Sequence, residues 1–186
     1  MRLRKILILL AILLALGGYY YYSARPNPAP PPEPRHYAWL IDIDKIERIE
    51  LRLCREGESQ AFIKIPSGDQ FPWFFDDSKR SKVDIDRWGG GIPLLLSGPG
   101  TARIISEHTT EEKLEELGLI NPQMEIVLTL GGDKTLNIKV GDPTPNGHSY
   151  YVQSPYSTEV TLVDYTWFNV LKRLVKEPPY AHPKEE

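Results

Sequence analysis

The side chains in this 186-residue sequence that could do chemistry are four histidines, one cysteine and three pairs of neighbouring aspartates. His36, His108, His148 and His182 are scattered along the chain, so no two share the short spacing that a zinc motif needs to close on one ion. Asp42 with Asp44, Asp76 with Asp77, and Asp84 with Asp86 lack the regularly spaced oxygens and the glycine of a calcium loop. Helix caps and turns account for them. Cys54 is alone, which excludes an intramolecular disulfide and a multi-cysteine metal site, and its place in a strand-like run suggests a buried small hydrophobe. Segment 141–147 is rich in glycine and proline but lacks the lysine and following helix of a phosphate cradle, so tight turns are its simpler reading. Ser97 and Ser106 have no nucleophile elbow around them. Glu111, Glu112, Glu115 and Glu116 form a solvated helix face. These residues imply no enzyme, no cofactor and no metal.

The elements that would position these residues are strand-rich. Ile49, Leu51 and Leu53 alternate with Arg48, Glu50 and Arg52, the period of a half-buried strand. A second strand fits 60–65, and a third short one holds Trp73, Phe74 and Phe75 after a turn at Ser67, Gly68 and Asp69. In 84–98, Asp84 or Asp86 can cap a helix, but Gly89, Gly90, Gly91 and Pro93 interrupt it, so a short turn and then a helix starting near Pro93 are expected. A strand at 101–106 precedes a helix at 109–117, with Thr109 and Glu112 as capping box and Gly118 as stop. Met124, Ile126, Leu128 and Leu130 face Leu136, Ile138 and Val140 across a Gly131-Gly132-Asp133 turn, the clearest hairpin in the chain. Strands at 150–153 and 159–163 follow. Asp164 then caps a last helix bearing Phe168, Leu171, Leu174 and Val175, stopped by Pro178 and Pro179. The fold class is α+β: antiparallel hairpins with about three short helices, preceded by one transmembrane helix.

That first helix is read from 6–16, where nine of eleven residues are Leu or Ile. Nine such residues favour membrane insertion by roughly 3–5 kcal/mol. Arg2, Arg4 and Lys5 before the run, against Arg25 after it, place the N-terminus in the cytoplasm and the rest outside. The apolar run is short for a span, but Tyr19, Tyr20, Tyr21 and Tyr22 lengthen it and suit a headgroup-level belt. Bulky Tyr22 opposes cleavage after Ala24, so an uncleaved anchor is expected rather than a removed signal. The segment 26–36 holds six prolines in eleven residues, the composition of an extended polyproline II spacer. The division is therefore 1–5 cytoplasmic, 6–24 anchor, 25–36 linker, 37–180 extracytoplasmic domain and 181–186 tail. Without the three leading basic residues the chain carries 19 basic against 25 acidic side chains, no footprint for nucleic acid.

Leu117-Gly118-Leu119, Asn121-Pro122, the hairpin, Gly141-Asp142-Pro143-Thr144-Pro145, Gly147 and Tyr151-Val152 resemble the bacterial domain of unknown function 4340 family. The resemblance extends over about 45–174 in a single copy, with its strongest motifs in 117–163. It implies an extracytoplasmic domain tethered by an N-terminal helix, sometimes beside transporter components, and carries over no catalytic residue. The expected function is protein contact in the cell envelope, as an accessory to an envelope or transporter complex. The rivals are a module binding a small molecule, lipid or glycan, and a hydrolase in which His108 or His148 converges with two carboxylates. If Trp88, Gly89, Gly90, Gly91, Ile92 and Pro93 stand exposed together, they form the candidate partner-binding patch, a backbone-presenting loop with an aromatic anchor.

Overall fold

Alternation of apolar and polar residues, the simplest pattern in this sequence, builds the molecule's one large sheet. The computed structural model describes residues 2–23, 36–67, 72–88, 91–132 and 134–181. The chain divides into two units, Met1–Pro34 and Arg35–Glu186.

In the first unit, α1 (Arg2–Ser23) is a 22-residue helix whose described isoleucine, leucine and tyrosine side chains are exposed. A helix forms where one was expected. Among the described residues, however, no helix is long and apolar enough to cross a membrane. The Leu and Ile stretch alone covers about 16 Å at a 1.5 Å rise, roughly half of a bilayer's hydrocarbon core. The proposed linker, apart from His36, lies outside the described residues.

The second unit is an eight-stranded antiparallel sheet in the order β3-β2-β1-β5-β6-β7-β8-β4. Its strands are β1 (Ile46–Leu53), β2 (Glu58–Lys64), β3 (Trp73–Phe75), β4 (Thr101–Ser106), β5 (Met124–Leu130), β6 (Lys134–Pro143), β7 (Ser149–Gln153) and β8 (Val160–Asp164). The expected hairpin is present, with Ile126 opposite Ile138 and Leu128 opposite Leu136. Gly132 at its turn has φ +80°, where a side chain would be strained. One face of the sheet carries Ile49, Leu51, Phe62, Met124, Ile126, Leu128, Ile138, Val140 and Val152 into a continuous core.

Among the described residues four short helices follow α1, against the expected three, because Ile85–Trp88 forms a helical turn of its own ahead of Ile92–Ser97. These are α2 (Ile85–Trp88), α3 (Ile92–Ser97), α4 (Glu111–Glu116) and α5 (Tyr165–Lys176). Asp84 Oδ1 accepts from the amides of Asp86 and Arg87 at the start of α2. Pro93 stands in the first turn of α3, where its missing N–H costs nothing. Asp164 accepts from Thr166 N to start α5, whose Trp167, Phe168, Leu171, Leu174 and Val175 are buried against the sheet. α5 is the lid of the main core.

Two of the differences from the expected boundaries bear on packing. α4 is capped by Thr110, whose side chain accepts from Lys113 N, rather than by Thr109. β6 continues through Gly141 and Asp142 to Pro143, where a loop was expected, because a register shift after Val140 lets Pro143 pair with Tyr150. α4 and the turn after it cover the opposite side of the sheet near β7 and β8, where Leu117, Leu119 and Val160 form a second, smaller core.

Candidate functional site

At the β3 edge the sheet is too narrow to bury its aromatic residues on both sides. β3 has three residues, all aromatic, and strand geometry sends neighbours to opposite faces. Phe75 takes the inward position and is fully buried, stacked at 4.0 Å on Tyr180 and tilted against Phe62 at 5.1 Å. Trp73 and Phe74 are only half-buried. Isolated bridges from Phe74 to Lys82 and from Val83 to Tyr180 fold the segment after β3 back along this edge. Trp88 closes the arrangement from α2, 4.6 Å from Phe62 and 5.7 Å from Trp73 between ring centres.

The result is an open, mainly apolar groove of about 490 Å³ lined by Ser67, Pro72, Trp73, Phe74, Lys82, Val83 and Trp88. Such a lining takes up apolar or aromatic surface, with the Lys82 ammonium the one cationic group among its described residues. The expected exposed patch at 88–93 is corrected. Trp88 is 4 % exposed, and Ile92 and Pro93 are also buried, because α2 and α3 turn these side chains into the core. Gly91 is half-buried, and Gly89 and Gly90 lie outside the described residues. Trp88 thus reaches the groove as part of its wall. The sequence did contain a signal for the groove: an all-aromatic strand at a sheet edge.

A wider cleft of about 840 Å³ lies on the opposite, solvated face, lined by Asp44, Glu47, Arg48, Ile63, Lys64, Pro66 and Thr129. Beside it runs a chain of charge pairs. Arg48 reaches Asp76 and Glu50, each at 2.6 Å, Arg52 joins Glu50 at 2.5 Å and Glu125 at 3.2 Å, and Asn137 donates to Glu125 at 2.6 Å. Hydrogen bonds from Arg48 and Arg80, set against partial burial, hold the Asp76 carboxyl below its ordinary range. Those from Arg52 and Arg48 do the same for Glu50. The pairing satisfies its members internally and leaves no convergent acid and base.

Two of the aspartate pairs serve local turns. Asp42 caps the 3-10 turn Ile43–Lys45, and Asp77 accepts from the amides of Lys79 and Ser81. Among the described residues no three His, Cys, Asp or Glu side chains gather as metal ligands would. Cys54, expected to be buried, is exposed in the turn after β1, because the strand ends one residue before it. Partial desolvation and the Glu125 carboxylate push its thiol up, away from thiolate reactivity.

The glycine-containing motifs serve packing. Gly118 has φ +70°, and a Cβ there would strike the Asp142 carboxylate; a Cβ on Gly141 would strike the Leu117 carbonyl. The two backbones touch because Asp142 N donates to Leu117 O at 2.9 Å. Arg55, from the β1–β2 turn, clamps the junction by pairing with Asp142 at 2.7 Å and donating to Asn121 O at 2.8 Å.

An antiparallel α+β domain with a packed glycine junction and an apolar edge groove is the class of protein that this geometry defines. The family model of the domain of unknown function (DUF4340) matches residues 100–177 of the chain, in a single copy. The matched stretch runs from the start of β4 through α5, so the three strands β1, β2 and β3, with the groove's Trp73, lie before it. No curated protein matches the chain, and no solved structure does.

Proposed function

We propose that this protein is a non-enzymatic, membrane-tethered binding domain outside the cytoplasm, and that the Trp73–Trp88 groove is where it grips a protein partner of the envelope. The observation that carries this reading is the groove, an apolar concavity with half-buried aromatic walls at a sheet edge. Aromatic anchors supply large contact area at little conformational cost, the usual make-up of a contact hot spot. Support for the tether is the run of Leu and Ile in α1 with basic residues before it and tyrosines after it. Taken from Ile6 through the tyrosines, that stretch reaches about 25 Å, close to a hydrocarbon core.

A photo-crosslinking residue at Lys82, in the full chain in its native membrane, tests the contact. One discrete protein adduct that disappears with Trp73→Glu is the expected result. Crosslinking to lipid alone, or the same adducts from Asn137 on the opposite face, sinks the protein-partner reading. The second reading is a small amphiphile, which the mainly apolar lining with Lys82 beside it also fits. Native mass spectrometry of the gently solubilised chain would then show a bound non-protein mass.

A further inference from the structure

We propose that a second surface, the apolar patch of Tyr37, Leu40 and Leu94, seats the domain on the lipid surface of the membrane that holds α1. The three side chains are 47 %, 71 % and 63 % exposed, and Leu40 and Leu94 are the two most exposed large apolar side chains described in the second unit. They are neighbours. Gly98 lies within touching distance of both Leu40 and Tyr37, so that a Cβ there would stand 3.0 Å from Leu40 Cδ2 and 3.6 Å from Tyr37 Cδ1. Leu94 stands one helical turn before Gly98 on the outer side of α3, whose Ile92, Pro93 and Leu96 point inward. The backbone holds the three in place. Ile41 N donates to Ser97 O at 2.6 Å, Ala38 N to Pro99 O at 3.0 Å, and the Trp39 indole to Leu96 O at 2.8 Å, so 37–41 is stitched to α3 and cannot fold its leucine away.

The choice of a lipid surface rests on where the chain comes from. The patch begins at Tyr37, directly after the proline-rich segment 26–36, and the thirteen residues 24–36 separate it from Ser23 at the end of α1. Covalent geometry limits that stretch to roughly 50 Å when fully drawn out. If α1 is membrane-held, as proposed above, the patch is the part of the domain with the shortest tether to the bilayer. A few apolar side chains bind a bilayer weakly on their own. A tether changes this, because the second contact becomes intramolecular and its effective concentration is high. The patch side chains are uncharged, so the contact should depend little on ionic strength or on anionic lipid.

The test uses the full chain in zwitterionic phosphatidylcholine vesicles carrying a nitroxide on the acyl chain. An environment-sensitive fluorophore is placed at position 94 (Cys54→Ser, Leu94→Cys) or on native Cys54, which is exposed just past the far end of β1, a strand of eight residues spanning about 26 Å. Quenching at 94 several-fold above that at Cys54, unchanged by high salt, is the expected result. Adding Leu40→Asp or Tyr37→Asp should bring it down to the Cys54 level with circular dichroism unchanged. Equal quenching at the two sites in chain that floats with the vesicles overturns the docking while leaving the tether intact. Chain that fails to float overturns the tether and, with it, the docking.

Discussion

At Gly118 and Gly141 two stretches of backbone approach so closely that one methyl group would not fit. Gly118 also requires a positive φ, which costs a residue with a Cβ about 1–2 kcal/mol, and overpacking adds about 1–3 kcal/mol more. Gly118→Ala should therefore lower stability by at least about 2 kcal/mol, and Gly141→Ala by about 1–3 kcal/mol, read from urea midpoints. An alanine at Gly147, which also has positive φ but open space around it, should cost only the conformational part. The carboxylates of Asp76 and Glu50 make a second residue-scale prediction. Both are held below their unfolded values by their arginine partners, so their contribution is present above about pH 4 and is lost as the pH falls through the folded values. Arg48→Met should flatten the fall in urea midpoint between pH 7 and pH 3, since it removes a partner of both acids.

The elements divide into those that local pattern specifies and those that packing selects. α5 belongs to the first kind: an N-cap, an amphipathic face and two prolines beyond its end bound it on both sides. Asp164→Ala removes the oxygen that accepts from Thr166 N, at a cost of about 0.5–2 kcal/mol, measurable in thermal or urea unfolding. The β5–β6 hairpin is also local, since its alternation and its glycine turn agree. α2 and α3 belong to the second kind. Their glycine-broken sequence has weak helical propensity, and the two short helices persist because Trp88, Ile92 and Leu96 are buried. β6 runs past its expected end for a similar reason, the Asp142 backbone finding the Leu117 carbonyl.

For the molecule as a whole, the arrangement of β1 is decisive. It lies outside the family-matched stretch, yet it pairs along its length with β5 and sits in the middle of the sheet. The stretch 100–177 alone would expose the β5 edge and lose the core contributed by Ile49, Leu51 and Phe62. The groove and the Tyr37–Leu40–Leu94 patch likewise belong to the part before β4, so both proposed contacts are carried by what precedes the matched domain.

By itself the sequence determined the α+β class, the helix at the N-terminus, the strands, the hairpin, the cap of α5 and the family resemblance over its second half. All of these rest on neighbours a few residues apart, where side-chain period and turn chemistry act directly. Only the tertiary structure decided that Trp88 is a wall rather than an exposed anchor, that Cys54 is exposed, and that Leu40 and Leu94 lie on one surface. Each of those outcomes depends on which distant segment covers a side chain, and that is fixed by the pairing of strands and helices far apart in the chain.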